Sequence, residues 1–218
     1  MMNVIIHSEM EIFTSDAKTI SLFTSKFQVP RADSHKGQNG KLLIIGGSEL
    51  FHAASLWAAE TAAYYVDMVH FCSTESNNEL YQSAKHKFQN GIVVRQKDLE
   101  HYITEDNTIL IGPGMVRSEI KPDQYGDVSS FADILALTDE SLFAAQLTHF
   151  ILKNGKGKKI VIDAGALQMI NPEWLKETEA DVILTPHLHE FERVFGYNLH
   201  RMSLDEKKNI VTETAKTY

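Results

Sequence analysis

Apolar positions along the chain fall into two kinds of segment: short runs of consecutive apolar residues, and longer stretches with helical spacing. The run Leu42-Leu43-Ile44-Ile45, entered through Gly40-Lys41 and left through Gly46-Gly47-Ser48, is the one around which the others are arranged. Four apolar residues in succession between glycines predict a strand over 41–45 that is buried on both faces, as in a parallel sheet. Ending that strand on Gly-Gly-Ser lets the backbone come close to a ligand at the carboxyl edge of the sheet. An alanine-rich stretch from Ala53 to Tyr65 predicts a helix, and 66–73 predicts a second strand, which completes a βαβ unit with a right-handed crossover. Further strands are predicted over 91–95, 108–111, 159–162 and 181–184. Helices are predicted over 15–23, before a turn at Pro30, and over 141–154, stopping at Gly155 and Gly157. Another carries Glu190, Phe191, Glu192 and Phe195 and stops near Gly196. Ser203 with Glu206 has the form of a capping box that opens a last helix towards Thr217. Residues 114–139, rich in Gly, Pro, Asp and Ser, read as a long connection of the functional or mobile kind.

This alternation of strand and helix predicts an α/β fold: one domain over 35–218, preceded by a lead-in over 1–34. At 218 residues and 43% hydrophobic content the chain can bury a full core. Its 29 acidic against 21 basic residues, a formal charge of −8, argue against nucleic acid or an anionic membrane as partner. No apolar run reaches the roughly 20 residues needed to cross a bilayer. The first residues, Met1-Met2-Asn3-Val4-Ile5-Ile6-His7, lack the basic and long apolar regions of a secretory signal. Cys72 is the single cysteine. It sits in an apolar strand and reads as a buried, inert thiol compatible with a reducing cytoplasm.

Candidate chemistry concentrates at the ends of the predicted strands: Gly46-Gly47-Ser48, Gly112-Pro113-Gly114, Asp163-Ala164-Gly165 and Thr185-Pro186-His187. In an open parallel sheet these ends share one edge, where ligands bind. None is a G-x-G-x-x-G fingerprint or a phosphate-binding P-loop, so neither a standard dinucleotide dehydrogenase nor a P-loop enzyme is indicated. Each feature also has a plainer reading. Asp163 can cap the turn that follows it, Gly112-Pro113-Gly114 can be a tight turn, and His187 can be a hydrogen-bonded histidine at a strand end. His187-x-His189-Glu190 lacks a third and fourth ligand at recognised spacing, which argues against a structural metal. His7, His86, His101, His149 and His200 follow no pattern and read as surface or core residues.

Taken in order, His35-Lys36-Gly37 with Gly40, Gly46-Gly47-Ser48, the helix from Ala53, Gly112-Pro113-Gly114, Asp163-Ala164-Gly165-Ala166-Leu167 and Thr185-Pro186-His187 with Glu190 resemble one family. It is the ADP- or ATP-dependent NAD(P)H-hydrate dehydratases, and the resemblance runs over 35–196. It implies a ribokinase-like three-layer α/β/α fold with a mostly parallel central sheet. It also implies a repair reaction in which ADP or ATP, with Mg2+, phosphorylates the ring hydroxyl of hydrated NADH or NADPH (NADHX or NADPHX), and phosphate then leaves. By that resemblance Ala54, Gly112, Gly114, Asp163 and His187 line the hydrated nucleotide, and Glu190 organises the phosphate and magnesium region through water, with no direct metal ligand. The family's Leu-Lys-Gly strand and Gly-Thr-Gly-Asp turn are absent from residues 1–218. The catalytic aspartate is therefore expected beyond Tyr218, and the chain as an incomplete domain. Leu188-His189 replaces the family's Pro-Gly, and His52 stands where a glycine is usual. The resemblance further implies a cytoplasmic homo-oligomer, a tetramer being the form it suggests. A sugar or vitamin kinase of the same fold and a non-catalytic nucleotide-binding paralogue remain alternatives.

Overall fold

A computed structural model of the chain describes residues 16–25, 29–84, 90–126, 128 and 130–218. His7, His86 and the first residues of the chain lie outside them. Six strands, β1 (Lys41–Ile45), β2 (Met68–Cys72), β3 (Gly91–Val93), β4 (Thr108–Ile111), β5 (Lys159–Ile162) and β6 (Asp181–Leu184), form one sheet in the order β3-β2-β1-β4-β5-β6. All five pairings are parallel. The chain winds outward from β1 to β3 and then resumes at β4 on the other side of β1. The sheet's order thus reverses between β1 and β4, the place where open α/β sheets form a ligand crevice.

The helices are α1 (Ala17–Thr24), α2 (Ala53–Ala62), α3 (Glu75–Ala84), α4 (Leu99–Glu105), α5 (Phe131–Leu135), α6 (Glu140–Lys153), α7 (Ala164–Met169), α8 (Trp174–Glu177), α9 (Leu188–Phe195) and α10 (Leu204–Thr217). All six predicted strands are present. So are the helices after Ala53, before Gly155 and before Gly196, and α10 opens with the predicted Ser203–Glu206 capping box. Two differences stand out. Helices α3 and α4 fall where the apolar pattern predicted no element, and the connection before Asp139 contains a 3-10 turn over Pro122–Gln124 and helix α5. The α5 start is fixed by Ser130, whose hydroxyl accepts from the Asp133 N–H while the Asp133 carboxylate accepts from the Ser130 N–H.

Lys36–Leu199 make up one compact unit, which holds the whole sheet. The described residues up to His35, with His200–Tyr218, make up a second. In the sheet unit, Leu43, Ile44, Phe71, Ile109, Ile111 and Ile162 are wholly buried, as expected of strands covered on both faces. Phe71 stacks on Tyr81 of α3 with ring centroids 4.0 Å apart. Below the sheet's carboxyl edge, His70 Nδ1 and Asp106 Oδ2 lie 2.7 Å apart, with both side chains buried. Cys72 is buried as predicted, and burial pushes its thiol up to about 12.

Candidate functional site

The parallel ladder runs one residue beyond each strand. The N–H groups of Gly46, Gly112, Asp163 and Thr185 donate to the carbonyls of Cys72, Ile45, Ile111 and Ile162, at 3.1, 3.0, 2.9 and 3.3 Å. These four strand-end residues are thereby locked into one row. Loops leave the row at fixed positions, so Gly47, Gly114, Ala164 and Pro186 follow one another along the same edge.

Close packing of backbone explains the glycines in the row. A Cβ on Gly46 would lie 2.4 Å from the Pro113 carbonyl oxygen, and one on Gly165 would lie 2.1 Å from the Met115 oxygen. The Met115 N–H donates to the Gly112 carbonyl at 2.9 Å and closes a turn around Pro113 and Gly114. Gly114 has φ +76°, which a type II turn requires at its third position. The turn reading and the close-approach reading of this motif both hold, because Gly114 also packs against the backbone of Gly47.

Over β5 and β6 the row carries polar side chains. The Thr185 hydroxyl donates to Asp163 Oδ1 at 2.6 Å. His187 caps the start of α9: its Nδ1 accepts from the His189 N–H at 3.2 Å, and its own N–H donates to Glu190 Oε2 at 3.0 Å. Glu190 is buried, and its Oε1 accepts from Gln168 Nε2 of α7 at 2.9 Å. Arg117 hydrogen-bonds Gln168 Oε1, which brings a guanidinium to the rim. Both oxygens of Glu190 are thus held by protein donors, whereas Asp163 is partly exposed. Asp163, partly exposed, and Glu190, whose oxygens each keep a lone pair beside the bond they accept, are hard oxygen donors of the kind magnesium takes.

Ala54 lies exposed in the first turn of α2, whose N-cap residue His52 makes no side-chain cap. The first-turn amides of that helix are therefore left for other acceptors. The structure brings Gly112, Gly114, Asp163, His187 and Glu190 to one edge with Ala54 beside them. Gln168 and Arg117 join them without having been singled out from the sequence, because their partners stand 22 and 51 residues away in the chain.

Beside Gly47 a cleft of about 260 Å³ opens, lined by Gly46, Gly47, Glu49, Ser73, Thr74, Glu75 and Gln96 from the ends of β1–β3 and by Met115, Val116, Thr138 and Glu140 from the connection between β4 and β5. None of the six expected site residues lines it.

A doubly wound parallel sheet with a glycine-lined carboxyl edge and a topological switch point is an α/β fold of ribokinase-like type. The chain belongs to the NAD(P)H-hydrate dehydratase family, whose model matches residues 42–218. It is 27% identical over 168 residues to an ADP-dependent (S)-NAD(P)H-hydrate dehydratase of Lactiplantibacillus plantarum, covering 76% of this chain and 52% of that protein. It is 30% identical over 164 residues to a bifunctional NAD(P)H-hydrate repair enzyme of Methanocaldococcus jannaschii, covering 74% of this chain and 29% of that one. An ADP/ATP-dependent NAD(P)H-hydrate dehydratase from Bacillus subtilis, co-crystallised with ATP and Mg2+, superposes with a TM-score of 0.57 at 21% identity, over 86% of this chain and 59% of that one. A ribokinase-like protein from Enterococcus faecalis gives 0.62 at 17% identity, over 86% and 59%. The chain thus spans about half the length of the first of these curated relatives, and less of the bifunctional one.

Proposed function

We propose that the protein serves in the repair of hydrated NADH and NADPH, with ADP or ATP as phosphoryl donor. The observation that carries this reading is the row of strand ends, which aligns Ala54, Gly114, Asp163, His187 and Glu190 along one edge in the order of the family's motifs. The ring hydroxyl of the hydrated nucleotide attacks the donor's terminal phosphorus and its proton passes to a base. The donor's bridging P–O bond breaks and releases AMP or ADP; the ring's own C–O bond then breaks as phosphate leaves, and loss of a proton from the adjacent ring carbon forms the C=C bond of the reduced ring. Residues of this chain bind and orient: Gly112 and Gly114 allow close approach of the nucleotide, α2 offers uncapped amides beside Ala54, and His187 borders the reacting end. Glu190 fixes His187 and Gln168 in place, and Asp163 faces the phosphates. Magnesium, when bound, neutralises phosphate charge. No Gly-Thr-Gly-Asp turn occurs in residues 1–218, and the family's base is expected from that turn. We also infer a homo-oligomer, supported by Trp57, Tyr64 and Tyr65, which are 66%, 87% and 68% exposed on and just after α2, and a cytoplasmic setting, supported by the single inert cysteine.

The test is incubation with hydrated NADH, Mg2+ and ADP or ATP, following recovery of reduced-nicotinamide absorbance. Recovery supports the repair reading. Binding of the hydrated nucleotide without turnover favours the non-catalytic paralogue, and lack of any binding by nucleotide overturns both.

A further inference from the structure

Two other arginines of the sheet unit are paired with carboxylates, Arg95 with Asp98 at 2.9 Å and Arg193 with Glu119 at 3.0 Å. Arg117 is not. Among the described residues its partner is the neutral side-chain oxygen of Gln168, and no carboxylate lies within ion-pair distance of it. A guanidinium carries five N–H donors in a rigid fork. One of them goes to Gln168, and the others stay at the exposed rim.

Its place follows from how the connection after β4 lies along α7. Met115 packs over Gly165, Arg117 meets Gln168, and the Ser118 N–H donates to Met169 Sδ at 3.4 Å. Gln168 lies in the second turn of α7, about 7 Å along the helix axis from Asp163 and the strand-end row. The other end of its amide sets the orientation. Gln168 Nε2 donates to Glu190 Oε1 at 2.9 Å and to the Ala164 carbonyl at 3.3 Å. Both bonds need the NH2 group, so Oε1 faces Arg117. Glu190 is held in turn by the His187 N–H at 3.0 Å. Gln168 therefore steadies the guanidinium and also keeps a neutral amide between that cation and the buried Glu190 carboxylate. The positive charge is not neutralised inside the protein.

We propose that Arg117, held in place by Gln168, binds the diphosphate group of a nucleotide seated on this edge. The proposal rests on the nucleotide-repair reading above. In a chain of formal charge −8, with Asp163 and Glu190 at the same edge, a ligand rich in negative oxygens needs such a cation, and arginine meets phosphate through two parallel N–H bonds. The diphosphate can be that of the phosphoryl donor or the one that joins the two halves of a dinucleotide. Losing one charge-assisted pair of this kind corresponds to about a 10- to 100-fold loss of affinity.

The experiment titrates the full chain, with Mg2+, against ADP and separately against NADH by calorimetry at low and high KCl, and records the urea midpoint of each variant. Arg117→Gln is expected to weaken at least one of the two ligands about 10- to 100-fold, to flatten its salt dependence, and to leave the urea midpoint in place. Arg117→Lys, which keeps the charge and loses the fork, falls between. Arg95→Gln removes the same charge away from the row and changes neither affinity. A loss confined to ADP assigns Arg117 to the phosphoryl donor, and one confined to NADH assigns it to the dinucleotide; either supports the proposal. Gln168→Met is expected to cost about tenfold in the same ligand, and the double variant Arg117→Gln with Gln168→Met to bind no worse than Arg117→Gln alone. Unchanged affinities and salt dependence in Arg117→Gln overturn the proposal while nucleotide binding stands, and losses that add in the double variant overturn the part given to Gln168. If the unaltered chain binds neither ADP nor NADH, the repair reading falls and the proposal with it.

Discussion

Replacing Gly165 by alanine sets two effects of opposite sign against each other. Gly165 is helical, the second residue of α7, so alanine gains up to about 1 kcal/mol of helix propensity and about 0.8 kcal/mol from one buried methyl group. By these alone the variant would be more stable. The new Cβ, however, would lie 2.1 Å from the Met115 carbonyl oxygen, 2.5 Å from its carbonyl carbon and 3.0 Å from its Cβ. That is more than about 1 Å short of van der Waals contact, and the obstacle is backbone, which cannot swing aside as a side chain would. Overpacking of this kind costs about 1–3 kcal/mol, and a clash this deep lies at the upper end. The expected outcome is a net loss of about 1–2 kcal/mol, read as a lower urea midpoint with an unchanged slope. Met115 also opens the connection that places Arg117 against α7, so ADP affinity should fall with it. Gly126→Ala is the comparison: its Cβ meets nothing within 4 Å and only its φ of +71° is unfavourable, so it loses about 1–2 kcal/mol and keeps its affinity. A Gly165→Ala protein as stable as the unaltered chain would refute the close-approach account of the motif.

Three further outcomes concern the frame. Asp106→Ala leaves His70 buried without its partner and should cost about 3–5 kcal/mol in urea unfolding, whereas His70→Phe combined with Asp106→Leu should recover most of that loss. Asp139 caps α6 by accepting from the N–H groups of Ser141 and Leu142 at 2.8 and 3.0 Å, so Asp139→Ala should cost about 1–2 kcal/mol. The Ser141 hydroxyl and then the Leu142 N–H hold the Asp139 carboxyl below its usual value. Its stabilisation is therefore present above the ordinary carboxylate range and lost as pH falls through the folded value, a step that should be missing from acid titrations of Asp139→Asn. His149 stacks on Trp174 at 4.3 Å, and burial, then Lys153, hold its imidazole below the ordinary histidine value. The unfolded chain binds that proton more readily, so stability should fall as pH drops through about 6.5, and His149→Phe should keep the stack and remove that part of the decline in thermal scans.

The strands were legible because each is a run of three to five residues dominated by apolar side chains, and four of the six run on into Gly46, Gly112, Asp163 or Thr185. Helix α3 was not, because of its ten residues Tyr81 is wholly buried while Leu80 is 48% exposed, so little apolar periodicity reaches the sequence. Helix α4 is held mainly by Leu99 and Ile103, a single i,i+4 pair that is easily read as chance. At the site, the motif residues were visible as strand ends. The contacts that fix them were not. Nothing local to Gln168 announces that it bridges Arg117 and Glu190, because that bridge exists only once α7 and α9 have packed side by side. The cleft was invisible for the same reason: Glu49, Glu75 and Glu140 come from three separate connections, and only the sheet's order makes them neighbours.

The two carboxylates over β5 and β6 show how position divides the labour between similar groups. Glu190 is 6% exposed, and each of its oxygens accepts a hydrogen bond from the protein, one from the His187 backbone and one from Gln168. Moving it would release both the cap of α9 and the link to α7. Its work is to hold His187 and Gln168 where they are. Asp163 has one oxygen tied to the Thr185 hydroxyl and stands partly exposed at the end of β5, in the row with Gly112. It is positioned by the ladder bond from its own N–H to the Ile111 carbonyl. The edge is therefore preorganised from behind by a buried glutamate and presented in front by an aspartate. Under the proposed function, the nucleotide's negative charge lies where glycine backbone and the uncapped start of α2 interrupt the acids, at the switch point between β1 and β4.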